Sequence, residues 1–185
     1  MPIMARTFAL NVLYNWARDI FKTPAGFENE VLSICCIVKT MTGWNCERAA
    51  SVGRERCGGM GFLANARFAD YLATAHAALT AEGDNRVLMT KIMKDMITNV
   101  TKNGMKLPQP KLNIKTQIST FNDVSQLETL ADLMRFRQTS LYLKLTRRMA
   151  ELGKIGKTQY QIMMREVSDT IQDLAMAYGE RLAIE

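Results

Sequence analysis

The chain has 185 residues, of which 48% are hydrophobic and 23% are charged, which is the composition of a globular protein and not of a disordered one. Its net charge of +6 is spread along the sequence without a run of five like charges, which argues against a nucleic-acid-binding protein. No apolar stretch approaches the roughly 20 residues that a membrane-spanning helix needs, so we predict no membrane span.

The cysteines and the single histidine offer little for a metal site. No two cysteines have C-x-x-C spacing, and His76 is the only histidine, so we predict no bound metal. The start of the sequence does not read as a signal peptide, and we expect reduced thiols in a cytosolic or organellar compartment. The four cysteines are Cys35, Cys36, Cys46 and Cys57.

Apolar residues recur at helical spacing through most of the sequence, and no segment alternates as a half-buried β-strand does. The pattern therefore predicts an all-α fold. In the first helix Phe8, Val12, Trp16 and Ile20 recur every four residues and Leu13 widens the stripe, so we expect these side chains to face the core. The second helix has one apolar face, made of Val31, Ile34, Cys35, Val38, Met41 and Thr42. The last helix has a stripe made of Tyr160, Met163, Met164, Val167, Ile171, Leu174 and Tyr178. We also assign Trp44 and Met60 to the core. The predicted helices cover about residues 4–22, 28–56, 64–78, 84–102, 125–151 and 157–182.

One connection is long enough to mark a domain boundary. Residues 106–124 contain Pro108 and Pro110 among polar residues, and about 20 residues is long for a loop inside a compact domain. We predict that this segment is a linker.

Two glycine-bearing loops flank the third predicted helix, and both are candidates for ligand contact. The first, residues 57–62, has glycines at three of its positions, which suit either a tight turn or a close approach of the backbone to a cofactor. The second contains Glu82 directly before a helix, with Asp84 or Asn85 as its N-cap. From position alone, Glu82 is either a solvated acid that favours the helix dipole or a catalytic base.

Together these loops resemble a known enzyme family. Cys57-Gly58-Gly59-Met60-Gly61-Phe62, followed about twenty residues later by Glu82-Gly83-Asp84-Asn85, is similar to the acyl-CoA oxidase branch of the acyl-CoA dehydrogenase superfamily. Glu-Gly-Asp-Asn is typical of the oxidases, whereas the dehydrogenases more often carry Glu-Gly-Thr-Ser. Ala81 stands where oxidases often have Phe, so the wall beside the base differs here.

The resemblance implies a fold and a domain organisation. Residues 1–105 would be the C-terminal up-down helical bundle of the family, residues 106–124 a linker, and residues 125–185 the start of the second C-terminal helical domain of the oxidases. The family enzymes are much longer, so we expect this chain to be a fragment that is inactive by itself.

The resemblance also implies a mechanism. Glu82 would remove the proton from the carbon alpha to the thioester of a fatty acyl-CoA, while hydride passes from the beta carbon to FAD and trans-2-enoyl-CoA is formed. An oxidase then returns the electrons to O2 and releases hydrogen peroxide. The residues implied in cofactor binding are Gly58, Gly59, Gly61, Gly83, Asp84 and Asn85.

The family further implies a homodimer, a role in fatty-acid β-oxidation, and a peroxisome or related organelle. Two alternatives remain open from the sequence. One is an acyl-CoA dehydrogenase that passes electrons to an electron-transfer flavoprotein. The other is a non-catalytic helical interaction module that has kept the bundle.

Overall fold

The computed structural model describes residues 2–111 and 126–185, and within those ranges the secondary structure is helical, without a strand. This confirms the all-α prediction. The α-helices longer than one turn are α1 (Pro2–Lys22), α2 (Val31–Arg56), α3 (Phe68–Thr80), α4 (Asn85–Thr101), α5 (Leu127–Lys154) and α6 (Ser168–Ile184).

Backbone contacts divide the chain into two compact units, of which unit 1 ends at Leu88 and unit 2 begins at Met89. The linker predicted over residues 106–124 is described only as far as residue 111, and the rest of it lies outside the described residues, as does Ser125. The predicted domain boundaries therefore stay predictions. No helix of the described segments is long and apolar enough to cross a membrane.

Unit 1 is built around α2, which packs against both α1 and α3. The predicted apolar face of α2 is largely confirmed, since Ile34, Val38 and Met41 are buried. The prediction for α1 was wrong at Phe8 and Val12, whose exposed fractions are 66% and 67%. Leu13 is buried as predicted, and the other residues that α1 buries are Leu10 and Ala17.

Two glycines let α2 and α3 approach each other closely. A Cβ atom on Gly53 would lie 2.9 Å from the Phe68 ring, and one on Gly43 would lie 3.5 Å from the Leu79 side chain. Residues late in α2 thus face the start of α3, while residues earlier in α2 face its end. The two helices are therefore antiparallel, as an up-down bundle requires.

Unit 2 contains most of α4, the extended segment 104–111, and the packed pair α5 and α6. The extended segment is held against α5 by two hydrogen bonds. Thr139 Oγ1 donates to the Pro108 carbonyl at 2.5 Å, and the Lys111 backbone N–H donates to Asp132 Oδ2 at 3.0 Å. Pro108 lacks a backbone N–H and cannot continue a helix, so these two contacts fix a segment that has no helical hydrogen bonds of its own.

A partly buried polar network joins α5 to the end of α6. Arg135 donates to Asp132 and to Glu185, at 2.6 Å in each case. Arg181 donates to Gln138 Oε1 at 2.6 Å and also to Glu185. Asp132 and Gln138 are 2% and 1% exposed, so their polar atoms need these partners.

The predicted last helix contains a π-helical turn, Ile162–Glu166, before α6 begins. A π turn adds one residue to the helical repeat, so side chains before it rotate out of phase with those after it. Met163, Val167 and Tyr178 of the predicted stripe are buried. Tyr160 and Met164 are 69% and 46% exposed, which corrects the prediction for those two residues.

Candidate active site

The loop between α3 and α4 has an uncommon backbone conformation at the predicted catalytic position. α3 ends as the Ala81 backbone N–H donates to the Ala77 carbonyl at 2.9 Å. Glu82 then has a φ of +59°, in the left-handed region that a side chain with a Cβ atom rarely adopts. Gly83 follows with a φ of +103°, which glycine adopts without strain. The Glu82 side chain is exposed at the surface of the loop.

Asp84 ends this loop and begins α4. Its Oδ1 atom accepts hydrogen bonds from the backbone N–H groups of Arg86, at 2.9 Å, and Val87, at 3.3 Å. These are N–H groups that the first turn of a helix leaves without a helical partner. The structure therefore places Asp84 as the N-cap of α4, one of the two caps that the sequence predicts.

Sequence reasoning missed Lys39, which reaches this loop from α2. Its ammonium nitrogen donates to the Leu79 carbonyl at 3.3 Å, to the Gly83 carbonyl at 2.7 Å, and to Asn85 Oδ1 at 2.7 Å. The signal in the sequence is a lone lysine amid the apolar stretch of α2, because an ammonium that is partly removed from water requires hydrogen-bond acceptors.

Asn85 is the buried member of the predicted site, with only 2% of its surface exposed. Besides accepting from Lys39, its side chain donates from Nδ2 to the Thr40 carbonyl of α2 at 3.4 Å. Both ends of the amide thus bind within unit 1 and attach the start of α4 to α2.

The glycine-rich segment after α2 forms a 3₁₀-helical turn, Gly58–Phe62. Gly58 has a φ of +55°, and a Cβ atom on either Gly58 or Gly59 would meet no atom within 4 Å. Gly61 differs, because a Cβ atom there would lie 2.4 Å from the Arg54 carbonyl oxygen. The turn therefore has an open side at its first two glycines and a packed side at the third.

The same turn exposes apolar side chains. Met60, which the sequence assigns to the core, is instead 63% exposed, and Phe62 is 81% exposed. The 3₁₀ turn has only five residues, and Gly61 is the one that it buries, so the Met60 and Phe62 side chains remain at the surface.

The structure places the two predicted halves of the site at opposite ends of α3. The glycine turn precedes α3 and lies by Arg54, whereas the Glu82 loop follows α3 and lies by Lys39. The 13 residues of α3 span about 20 Å at 1.5 Å per residue. A compact ligand therefore cannot contact both loops of one chain.

A groove of about 570 Å³ lies elsewhere in unit 1, between α1 and α2. Phe8, Tyr14 and Cys46 are among its lining residues, and neither glycine loop contributes to it. We therefore assign the candidate site to the two loops and not to this groove. Among the described residues, no group of three His, Cys, Asp or Glu side chains is arranged to hold a metal ion.

The comparisons with known proteins agree with the predicted family. The sequence profile of the acyl-CoA oxidase C-alpha1 domain matches residues 1–97. The fold is similar to the crystal structure of acyl-CoA oxidase 3 from Yarrowia lipolytica, with a TM-score of 0.73 and 20% sequence identity. That match covers 98% of this chain and 30% of the oxidase chain. No curated protein sequence matches the chain. Since the profile covers more than half of the residues and includes both loops, the chain belongs to the acyl-CoA oxidase C-alpha1 family.

Proposed function

We propose that this chain is the C-terminal helical part of an FAD-dependent acyl-CoA oxidase, which converts a fatty acyl-CoA to the trans-2-enoyl-CoA. The family membership supports this class of enzyme. The observation that carries the proposal is Glu82, an exposed carboxylate on a left-handed backbone, in a loop that Lys39 of α2 holds by a hydrogen bond to the Gly83 carbonyl. Strained backbone of this kind persists where the surrounding structure fixes it, and it is common at active sites.

In the proposed reaction, Glu82 is the general base. Its carboxylate takes the proton from the carbon alpha to the thioester, which leaves a pair of electrons between that carbon and the carbonyl. A thioester alpha proton is weakly acidic, so hydrogen-bond donors must stabilise the charge that develops on the carbonyl oxygen. We assign one of these donors to the backbone N–H of Glu82.

The glycine turn fits the approach of a large cofactor. Gly58 and Gly59 leave open space where other residues would carry a Cβ atom, so a ligand can reach the backbone there. The chemistry that bound FAD would supply here is acceptance of the hydride from the beta carbon and transfer of the electrons to O2, with hydrogen peroxide as the product. Because the Glu82 loop is about 20 Å away along α3, we propose that the two loops serve different parts of the cofactor or different subunits of a homodimer.

The remaining predicted cofactor residues have distinct proposed roles. Gly83 is exposed and is adjacent to Glu82, so its backbone is open to the cofactor. Gly61 keeps the turn close to Arg54. The carboxylate of Asp84 caps α4 and the amide of Asn85 is bound to α2, so we propose that they shape the cofactor site from within. A peroxisome or related organelle and fatty-acid β-oxidation belong to the same proposal.

The substitution Glu82→Gln tests the base in the complete enzyme that carries these helices. We expect turnover of acyl-CoA to fall by about 10³-fold, since the amide cannot accept the proton, while bound FAD is retained. Peroxide release and the visible flavin spectrum measure the two properties. Glu128→Gln, at an exposed position in the first turn of α5, is the matched control and should keep full activity.

Unchanged turnover in Glu82→Gln would remove the assignment of the base. Flavin reduction by acyl-CoA without oxygen consumption would identify a dehydrogenase that uses a flavoprotein acceptor. The 185-residue chain alone should release no acyl-CoA-dependent peroxide, because it spans 30% of the oxidase chain that it resembles.

A further inference from the structure

Lys39 makes three contacts that converge on the loop of the proposed base. An ammonium group has three N–H donors and no acceptor, and Lys39 has three acceptors within 3.3 Å. The acceptors are the carbonyls of Leu79 and Gly83 and the side-chain oxygen of Asn85. All of its hydrogen-bonding capacity is therefore directed at one short stretch of the chain.

These acceptors lie on both sides of Glu82 in the sequence. Leu79 is near the end of α3, Gly83 is the residue directly after Glu82, and Asn85 is the first residue of α4. Fixing the carbonyl of Gly83 and the start of α4 restricts the backbone between them. A left-handed backbone is strained at Glu82, and such a conformation persists only where neighbouring contacts hold it.

We infer that Lys39 is a positioning residue, which holds Glu82 in its left-handed conformation and thereby directs the carboxylate toward substrate. The kinetic part of this inference rests on the proposed function. Its geometry does not, because the three contacts and the backbone angle belong to unit 1 alone.

The chemistry of the contact favours lysine over arginine. A compact ammonium can donate to three acceptors that surround one point, whereas a planar guanidinium donates in a fixed fork. Lys39→Arg would keep the positive charge but lose the convergent geometry. That variant therefore separates a role of charge from a role of position.

Nuclear magnetic resonance of the 185-residue chain tests the geometry. A positive φ places the amide and alpha protons of a residue close together, which gives a strong cross-peak between them. We expect this cross-peak at Glu82 and at Arg67, which has the same φ of 59° and lies at the other end of α3. Lys39→Met should weaken the signal at Glu82 and leave the signal at Arg67 intact.

Arg67 is thus an internal control for folding. Loss of both signals would mean that Lys39→Met has unfolded unit 1, in which case Lys39→Gln, which keeps a polar group with two N–H donors, replaces it with the same expected result. A Glu82 cross-peak of unchanged strength in the folded variant would overturn the inference.

Steady-state kinetics of the complete enzyme test the functional part. Lys39→Met should lower kcat by about a hundredfold with little change in KM, the cost of a misplaced catalytic group. In the Glu82→Gln background the same change should lower the residual kcat by less than about twofold, because Lys39 acts through Glu82. A purely structural role would lower kcat in both backgrounds alike.

The outcomes remain distinguishable from failure of the proposed function. Full activity of Lys39→Arg would overturn the positional role and leave only a role for charge. If Glu82→Gln itself retained activity, the proposed base would fail, while the cross-peak at Glu82 would still decide whether Lys39 holds the loop.

Discussion

At the scale of the residue, Glu82 combines exposure with an unfavourable backbone conformation. A solvated acid at a helix start needs no particular φ, and helix N-caps generally have extended backbone. Glu82 instead lies in the left-handed region, directly before a glycine with a φ of +103°. Lys39 of α2 stabilises the loop through hydrogen bonds to Gly83 and to Asn85 at the start of α4. The residue that the sequence offers as a possible base is thus the residue that the fold holds in strain.

This strain has a measurable effect on stability. Glu82→Asn should raise the free energy of unfolding of the chain by about 1 kcal/mol, since Asn adopts the left-handed region more readily than Glu. Arg67→Asn is the matched comparison, because Arg67 has the same φ and its side chain forms an exposed ion pair with Asp70. Urea denaturation measures both variants, each of which should gain stability, and a loss of stability in both would contradict the argument.

At the scale of the element, α2 supports both loops of the candidate site. Near its middle, Lys39 and Thr40 bind the loop that contains Glu82. At its end, Arg54 packs against the turn Gly58–Phe62 through Gly61. One rigid helix of 26 residues therefore sets the positions of two loops that are separate in space.

The glycines of the turn should respond differently to the same substitution. Gly61→Ala should lower the free energy of unfolding by about 1–3 kcal/mol, because the new Cβ atom would overlap the Arg54 carbonyl. Gly59→Ala should leave stability unchanged, since the space beside Gly59 is open.

In the complete enzyme, we expect Gly59→Ala to reduce FAD affinity more than Gly61→Ala does, which is the reverse of their effects on stability. Gly59→Ala should weaken FAD binding without unfolding the protein, if the open side of the turn receives the cofactor. A fully retained flavin spectrum after dilution of the Gly59→Ala enzyme would contradict that part of the proposal.

The helices could be predicted from the sequence because their periodicity is local, but the faces that they bury depend on neighbours. Phe8 and Val12 have the correct spacing for a core stripe, yet α1, which packs against α2, buries Leu10 and Leu13 and leaves Phe8 and Val12 exposed. Tyr160 does not share the buried face of α6, because the π turn between them rotates the side chains that precede it. No residue type in the sequence predicts such a turn. Lys39 could not be assigned to Glu82 because the contact joins residues 44 positions apart at Gly83.

At the scale of the whole molecule, the chain corresponds to 30% of the oxidase chain that shares its fold. It contributes to the proposed reaction the base Glu82 and two exposed backbone segments, which are the Glu82 loop and the turn Gly58–Phe62. α3 separates these segments by about 20 Å, so the chain is suited to a ligand as extended as FAD, or to two sites in a dimer.

The stability of the chain should fall in acid in part through Glu166. A hydrogen bond from Lys157 lowers the pKa of the Glu166 carboxyl below its ordinary value of 4.5. A lowered pKa in the folded state stabilises the protein above pH 4.5, and this contribution is lost as the pH falls through the folded-state value. Urea midpoints measured from pH 7 to pH 3 should therefore decline on the acid side.

Lys157→Met should make that acid decline shallower and raise the pKa of Glu166 toward its ordinary value, as followed by carbon NMR. Lys154→Met removes the same charge from an exposed position on α5 and should leave the pKa of Glu166 nearly unchanged. Equal shifts in both variants would show that net charge, and not the specific contact, lowers the pKa.

Gly43 gives the fold a consequence for engineering. A Cβ atom at this position would lie 3.3 Å from the Nδ2 atom of Asn85 and 3.6 Å from the Ala78 carbonyl. The absence of a side chain at Gly43 therefore lets α2 lie close to the residues on either side of the Glu82 loop. Gly43→Ala would bring a methyl group against Asn85 and Ala78 on the α2 side of the loop. It would thereby change the position of Glu82 without altering a residue that faces the substrate.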